Sequence, residues 1–203
     1  AGRVVGTRVF EKGMVHGREI APAIQGLLTG AGFELASIHL LACDLGPGSY
    51  TGLRVGLAAA KGLSLAAGIP VAGVPSLDVL AEAARGRAKV VCPAIDGRCG
   101  LIYGALYEDG RRTGGFLAEK PDVFAGRVPP GTLVLGDALD AYAALFRDVI
   151  LAPRELWDLR PELVALLGQR LWESGVRQDV ATLVPLYLRQ TEAEIRFGPA
   201  KKS

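Results

Sequence analysis

Residues 43–56, CDLGPGSYTGLRVG, hold the most chemistry-like spacing in the chain, a Gly-rich turn leading into a helix. Such a turn aims free backbone amides outward and favours an anion at the helix N-terminus. The spacing is neither GxxxxGK[ST], because no Lys follows the glycines at the required place, nor GxGxxG. A tight turn before a closely packed helix explains the same residues and is the favoured reading. Asp44 and Asp96 each end an apolar run, where α/β sheets place their ligands. Asp96-Gly97-Arg98 reads equally as a turn with a local ion pair, and structural roles are preferred for both aspartates. Gly136-Asp137 follows another apolar run but lacks a Gly-rich phosphate turn. Ser49 is outside a GxSxG pattern, and as a nucleophile it would need His16 or His39, the only two histidines, as its base. These histidines are not spaced as a metal-ligand pair. Cys43, Cys92 and Cys99 are an odd, scattered set without CxxC. They argue against a disulfide framework, suit a reducing cytosol, and read as small core or strand residues.

These residues require a strand over 38–43, a reversal at Gly46-Pro47-Gly48-Ser49, a helix to Ala67 and a strand over 71–74. Pro47 fixes its own φ, and Gly46 and Gly48 permit φ > 0. Ser49 or Thr51 can cap the helix, Gly68 supplies a left-handed end and Pro70 blocks continuation. Between Thr51 and Ala67 only Arg54 and Lys61 are charged. Leu53, Leu57, Ala60, Ser64 and Ala67 form one stripe and Val55, Ala58, Ala59, Gly62, Leu63 and Ala66 another. This pattern predicts a helix buried on two sides. Gly52, Gly56 and Gly62 each cost about 1 kcal/mol relative to Ala, so close approach of another backbone is expected to offset them.

Elsewhere, residues 3–10 (RVVGTRVF) read as a strand and residues 19–29 as a helix with Ile20, Ile24, Leu27 and Leu28 on one stripe. Ser76 is placed as the cap of a helix ending near Gly86, and Arg85-Gly86-Arg87 as a hinge. Beyond it come strands over 90–96 and 101–107, a turn at Glu108-Asp109-Gly110, a strand over 132–135 and an amphipathic helix over 161–174. The 203 residues are half hydrophobic with a formal net charge of +2. That supports a substantial core and gives no bulk-charge case for nucleic-acid binding. No uninterrupted apolar run approaches the roughly 18 residues of a membrane span, and the sequence shows no basic-then-apolar leader, so secretion is not expected. The first residue is not Met, so the natural start is expected upstream.

Four segments, HGREIAPAI, LGPGSYTGLRVGLAAAKGLSLAAGIPVAGVPSLDVLA, AIDGRCGLIYGALY and PLYLRQTEAE, follow one another between residues 4 and 194. Together they closely resemble the TsaB (YeaZ) family. The resemblance implies a two-lobed α/β fold of the actin/Hsp70/sugar-kinase (ASKHA) superfamily, with mixed sheets flanked by helices. Combined with the hinge, it gives an N-terminal half over 1–86, a C-terminal half over 87–195 and a disordered tail over 196–203. Family members open with an LxIDTS-type strand, whose loop approaches ATP phosphate and Mg²⁺ in the superfamily. Here the chain starts inside the equivalent of the second strand. The opening strand is expected to be missing upstream, since deleting a central strand exposes two unpaired edges.

The resemblance also implies a function: a non-catalytic scaffold in making threonylcarbamoyladenosine, the modified adenosine beside the tRNA anticodon. The implied partners are a metal-containing TsaD-type paralogue that performs the transfer, a TsaE-type ATPase, and a second copy of the chain in isolation. tRNA is reached only through the complex. No cofactor is assigned to this chain, although the pathway uses ATP, and the location implied is cytoplasmic. Family contacts with TsaD run through the first two helices, here 19–29 and 50–67. The expected interface is Ile20, Ile24, Leu27, Gly52, Leu53, Gly56, Leu57, Ala60 and Ser64, an exposed apolar patch shared by homodimer and heterodimer. The competing classes are a superfamily ATPase or kinase, a glycoprotease-like peptidase, and an interaction module unrelated to tRNA.

Overall fold

The computed structural model describes residues 2–10 and 17–189. His16 and the tail over 196–203 lie outside them. Helix α1 (Gly17–Gly30) has no buried residue and packs on the second helix, α2 (Tyr50–Ala67). α2 is the crossover between two parallel strands, β1 (Leu41–Gly46) and β2 (Val71–Pro75), as parallel pairing requires. Neighbouring residues of a strand point to opposite faces, and this decides what covers the pair. Leu41, Cys43 and Val71 meet Leu57 of α2 and Leu183. Ala42 and Ala72 face helix α6 (Pro161–Glu173), where a Cβ on Gly168 would lie 2.6 Å from that of Ala42. Small residues on both sides therefore let α6 lie directly on the sheet.

Helix α3 (Ser76–Ala83) leads to a second, seven-stranded sheet around β3 (Val90–Asp96). β3 pairs antiparallel with β4 (Ile102–Gly104) and β5 (Tyr107–Glu108), and parallel with β8 (Leu133–Leu135). The short strands β6 (Arg111–Arg112), β7 (Leu117–Glu119) and β9 (Ile150–Leu151) extend it beyond β5, β4 and β8. Val91 and Ile95 pack with Leu77 and Leu80 of α3. The alternate residues Cys92 and Ala94 pack with Phe124 of α4 (Pro121–Arg127) and Leu139 of α5 (Leu139–Tyr142). The protein is thus mixed α/β, with sheets flanked by helices.

Several elements differ from the sequence expectation. Residues 3–10 form no strand: Val4, Val5 and Val9 are exposed and the segment joins neither sheet. Alternation makes a strand only where a neighbour takes up its backbone bonds. The run over 101–107 is two strands, β4 and β5, on different stretches of β3. Ser76 does not cap α3; its hydroxyl donates to Asp44 instead. α2 is not buried on two sides, since only Leu57 and Ser64 are buried along it. Leu57 packs on Val71 of the sheet, and Ser64, two turns further on, shares its face of the helix. They therefore do not belong to an exposed patch. The Ser49 cap and the left-handed Gly68 end are as expected, and Asp109 and Gly110 both take φ > 0 in the tight β5–β6 turn.

Candidate ligand cleft and partner helices

The turn after β1, the β3–β4 loop and the end of β8 converge with residues 186–189 around a cleft of about 780 Å³. Its lining includes Ser49, Tyr50, Asp96, Arg98, Tyr103, Asp137 and Tyr187. Ser49, Asp96 and Asp137, far apart in sequence, are therefore gathered, whereas Asp44 and His39 are not in the lining.

Each carboxylate accepts from a backbone amide. Asp44 Oδ1 accepts from the Gly46 amide at 2.9 Å and the Ser76 hydroxyl at 2.7 Å, clasping the turn to α3. Burial pushes the Asp44 carboxyl above its ordinary pKa, and these two bonds work against that rise. Asp96 Oδ1 accepts from the Arg98 amide at 2.9 Å, and its Oδ2 lies 3.4 Å from Arg98 Nη1. The local ion-pair reading of Asp96-Gly97-Arg98 holds. With the Arg98 side chain 81% exposed, that pair contributes little to stability. Asp137 Oδ1 accepts from the Asp96 amide at 2.8 Å and joins the ends of β3 and β8. No local pattern announced this link, because its two residues meet only through parallel pairing. Ser49 Oγ accepts from the Gly52 amide at 3.3 Å as the cap of α2. Among the described residues no group of three or more His, Cys, Asp or Glu could hold a metal.

All three cysteines are free thiols. Burial, then the Asp44 charge, pushes Cys43 up to about 11, and burial pushes Cys92 up to about 12. Cys99 is exposed, in a loop where Arg98, Cys99 and Gly100 all have φ > 0.

The mouth of the cleft carries a group that sequence reasoning missed. The Arg54 guanidinium lies 4.1 Å from the Tyr50 ring centroid, and its Nε donates to Tyr187 Oη at 2.8 Å. The two tyrosine rings are 5.5 Å apart. Of the residues expected at a partner interface, Ile20, Ile24, Leu27, Leu53, Gly56 and Ala60 are half-buried and Gly52 is exposed. Leu57 and Ser64 are only 4% and 8% exposed.

The family model described as TsaD, tRNA N6-adenosine threonylcarbamoyltransferase, matches residues 13–135. The tRNA threonylcarbamoyladenosine biosynthesis protein TsaB of Escherichia coli K12 is 32% identical, over 88% of this chain and 82% of that one. The chain belongs to the TsaB/YeaZ family. An uncharacterised protein of Mycobacterium tuberculosis H37Rv is 34% identical, over 94% of this TsaB-family chain and 83% of that relative. The solved structure of YeaZ from Pseudomonas aeruginosa matches with a TM-score of 0.74 at 25% identity, covering 86% of each chain. The fold of that solved structure is thus shared over most of this chain. No described helix of this member is long and apolar enough to cross a membrane.

Proposed function

We propose that the chain is a non-catalytic partner of a TsaD-type transferase in the threonylcarbamoyladenosine modification of tRNA. Kinship with the Escherichia coli protein named for that biosynthesis carries the reading. The local chemistry supports it. Asp44, Asp96 and Asp137 are each engaged with neighbouring backbone, and the Ser49 hydroxyl caps a helix. α1 and α2 lie side by side, with no buried residue on the first and two on the second. That leaves a largely solvent-facing helix pair for a partner, with Ile20, Ile24, Leu27, Gly52, Leu53, Gly56 and Ala60 as its contact residues. The same pair serves a homodimer in isolation. A TsaE-type ATPase joins the complex, tRNA is met through it, and its site of action is the cytoplasm. In this reading the two sheets are the lobes of an actin-like fold, divided near Gly86, with α6 and the chain to Leu183 returning to the first sheet.

The test is mixing with a TsaD-type transferase at micromolar concentration and sizing by light scattering. A heterodimer is expected; two separate species would sink the reading. A Cβ at Gly56 would meet nothing within 4 Å, so Gly56→Leu should fold normally by circular dichroism. It should weaken both assemblies by holding the helices apart.

A further inference from the structure

The loop after α3 and the β5–β6 turn meet where β3 begins, at the end of the second sheet away from the cleft; Asp96, in the cleft lining, is at the other end of that strand. Lys89 joins loop and turn. Its carbonyl accepts from the Asp109 amide at 2.9 Å, and its Nζ lies 2.9 Å from Glu108 Oε1. The Arg85 guanidinium lies over Gly110, where an added Cβ would come within 2.6 Å of Nη1. Arg85, Arg87, Lys89, Arg111 and Arg112 are thereby gathered, and all of them are exposed. Glu82 pairs with Arg85 and with Arg170 of α6, Glu108 with Lys89, and Asp78 with Arg112. Arg87 and Arg111 pair with no carboxylate among the described residues. With Asp109 included, the cations exceed the carboxylates here by two, as much as the formal net charge of +2 on the whole chain. Surface ion pairs of this kind are weakly held, so a phosphate can claim Lys89 or Arg85 in place of a carboxylate.

We propose that this end of the second sheet is a phosphate-contacting surface for the tRNA that the complex modifies, with Arg87 and Arg111 as its free cations. The proposal rests on the reading of the chain as part of a tRNA-modifying complex, which supplies the polyanion. Contacts of this type position a nucleic acid without reading its sequence. They are too few to hold RNA without the transferase, which is why the net charge of the chain gives no sign of them. The helices read as the partner surface, α1 and α2, contribute no residue to the cluster.

The test is tRNA binding to the complex of this chain with a TsaD-type transferase, measured across a salt series. Each lost phosphate contact lowers the slope of log affinity against log salt by about 0.7–0.9. The double variant Arg87→Ala, Arg111→Ala should therefore have a slope shallower by about 1.4–1.8 and bind tRNA roughly 15- to 30-fold more weakly at about 0.15 M salt. Both side chains are exposed, and circular dichroism should show an unchanged fold. Lys120→Ala removes an exposed cation next to Glu119, which β4 aligns with the cleft end of β3, and should change neither quantity. An unchanged slope in the double variant overturns the proposal. So does an equal effect of Lys120→Ala, since total charge would then be what counts. A double variant that keeps its tRNA affinity but dissociates from the transferase on sizing also overturns it, because the surface would then meet protein. Should no complex form, the partner reading falls by itself. The isolated chain must then show the same change of slope at low salt, and absence of tRNA binding there overturns the proposal as well.

Discussion

Removing the Ser76 hydroxyl tests the clasp between the turn and α3. Ser76 is fully buried, and its hydroxyl donates to Asp44 Oδ1 at 2.7 Å. A hydrogen bond to a charged group contributes about 1.5–3 kcal/mol and one between neutral groups about 0.5–1.5 kcal/mol. Burial raises the Asp44 pKa in the folded chain, so the folded state keeps this proton to higher pH than the unfolded chain does. The stability that Asp44 contributes is therefore complete below the ordinary carboxylate range and is lost as pH rises through the folded value. Deleting Ser76 removes one of the two bonds opposing that rise, which makes the loss steeper. Ser76→Ala should thus cost about 1.5–3 kcal/mol near pH 8 and about 1 kcal/mol in acid below the ordinary carboxylate range, where Asp44 carries its proton. Asp44→Asn should do the reverse, gaining on the parent chain as pH rises. Urea unfolding followed by circular dichroism at the two pH values reads both. A Ser76→Ala cost below about 0.5 kcal/mol at both, or a larger cost in acid, would refute the clasp.

Leu57 separates core from interface: Leu57→Ala should lower unfolding stability by about 2–4 kcal/mol, as buried leucines do, and a change under 1 kcal/mol would put Leu57 back on the surface. Gly136 has φ +118 and a Cβ there would collide with the Ala94 carbonyl oxygen, so Gly136→Ala should fail to accumulate as folded protein in expression and circular dichroism. Thiol titration of the native chain with a colorimetric disulfide reagent should find one fast cysteine, Cys99, with Cys43 and Cys92 reacting only on unfolding. Two fast thiols would show that the β1 face is open.

The strand–turn–helix–strand unit over 41–75 was legible because its determinants are local. Ser49 can reach the Gly52 amide, Gly68 can turn left-handed, and Pro70 cannot continue a helix, whatever the rest of the chain does. The order of segments was also sufficient to recognise the TsaB/YeaZ family. What the sequence left open depended on neighbours. Residues 3–10 have the alternation of a strand, yet pairing decides whether alternation becomes a strand, and the described chain offers them no partner. Ser76 was placed as a cap accepting from a helix amide, but its hydroxyl instead donates to Asp44, thirty-two residues earlier, once β1 and β2 lie side by side. The two stripes of α2 are both apolar and small, so periodicity could not say which one meets the sheet. Only the seating of Leu57 against Val71 and Leu183 chose between them. The cleft is the furthest case. Asp96 and Asp137, and Arg54 and Tyr187, are joined by bonds spanning 41 and 133 residues of sequence. Local residue preferences fall off within a few positions along a chain, so such contacts exist only after the sheets have formed and brought their ends together.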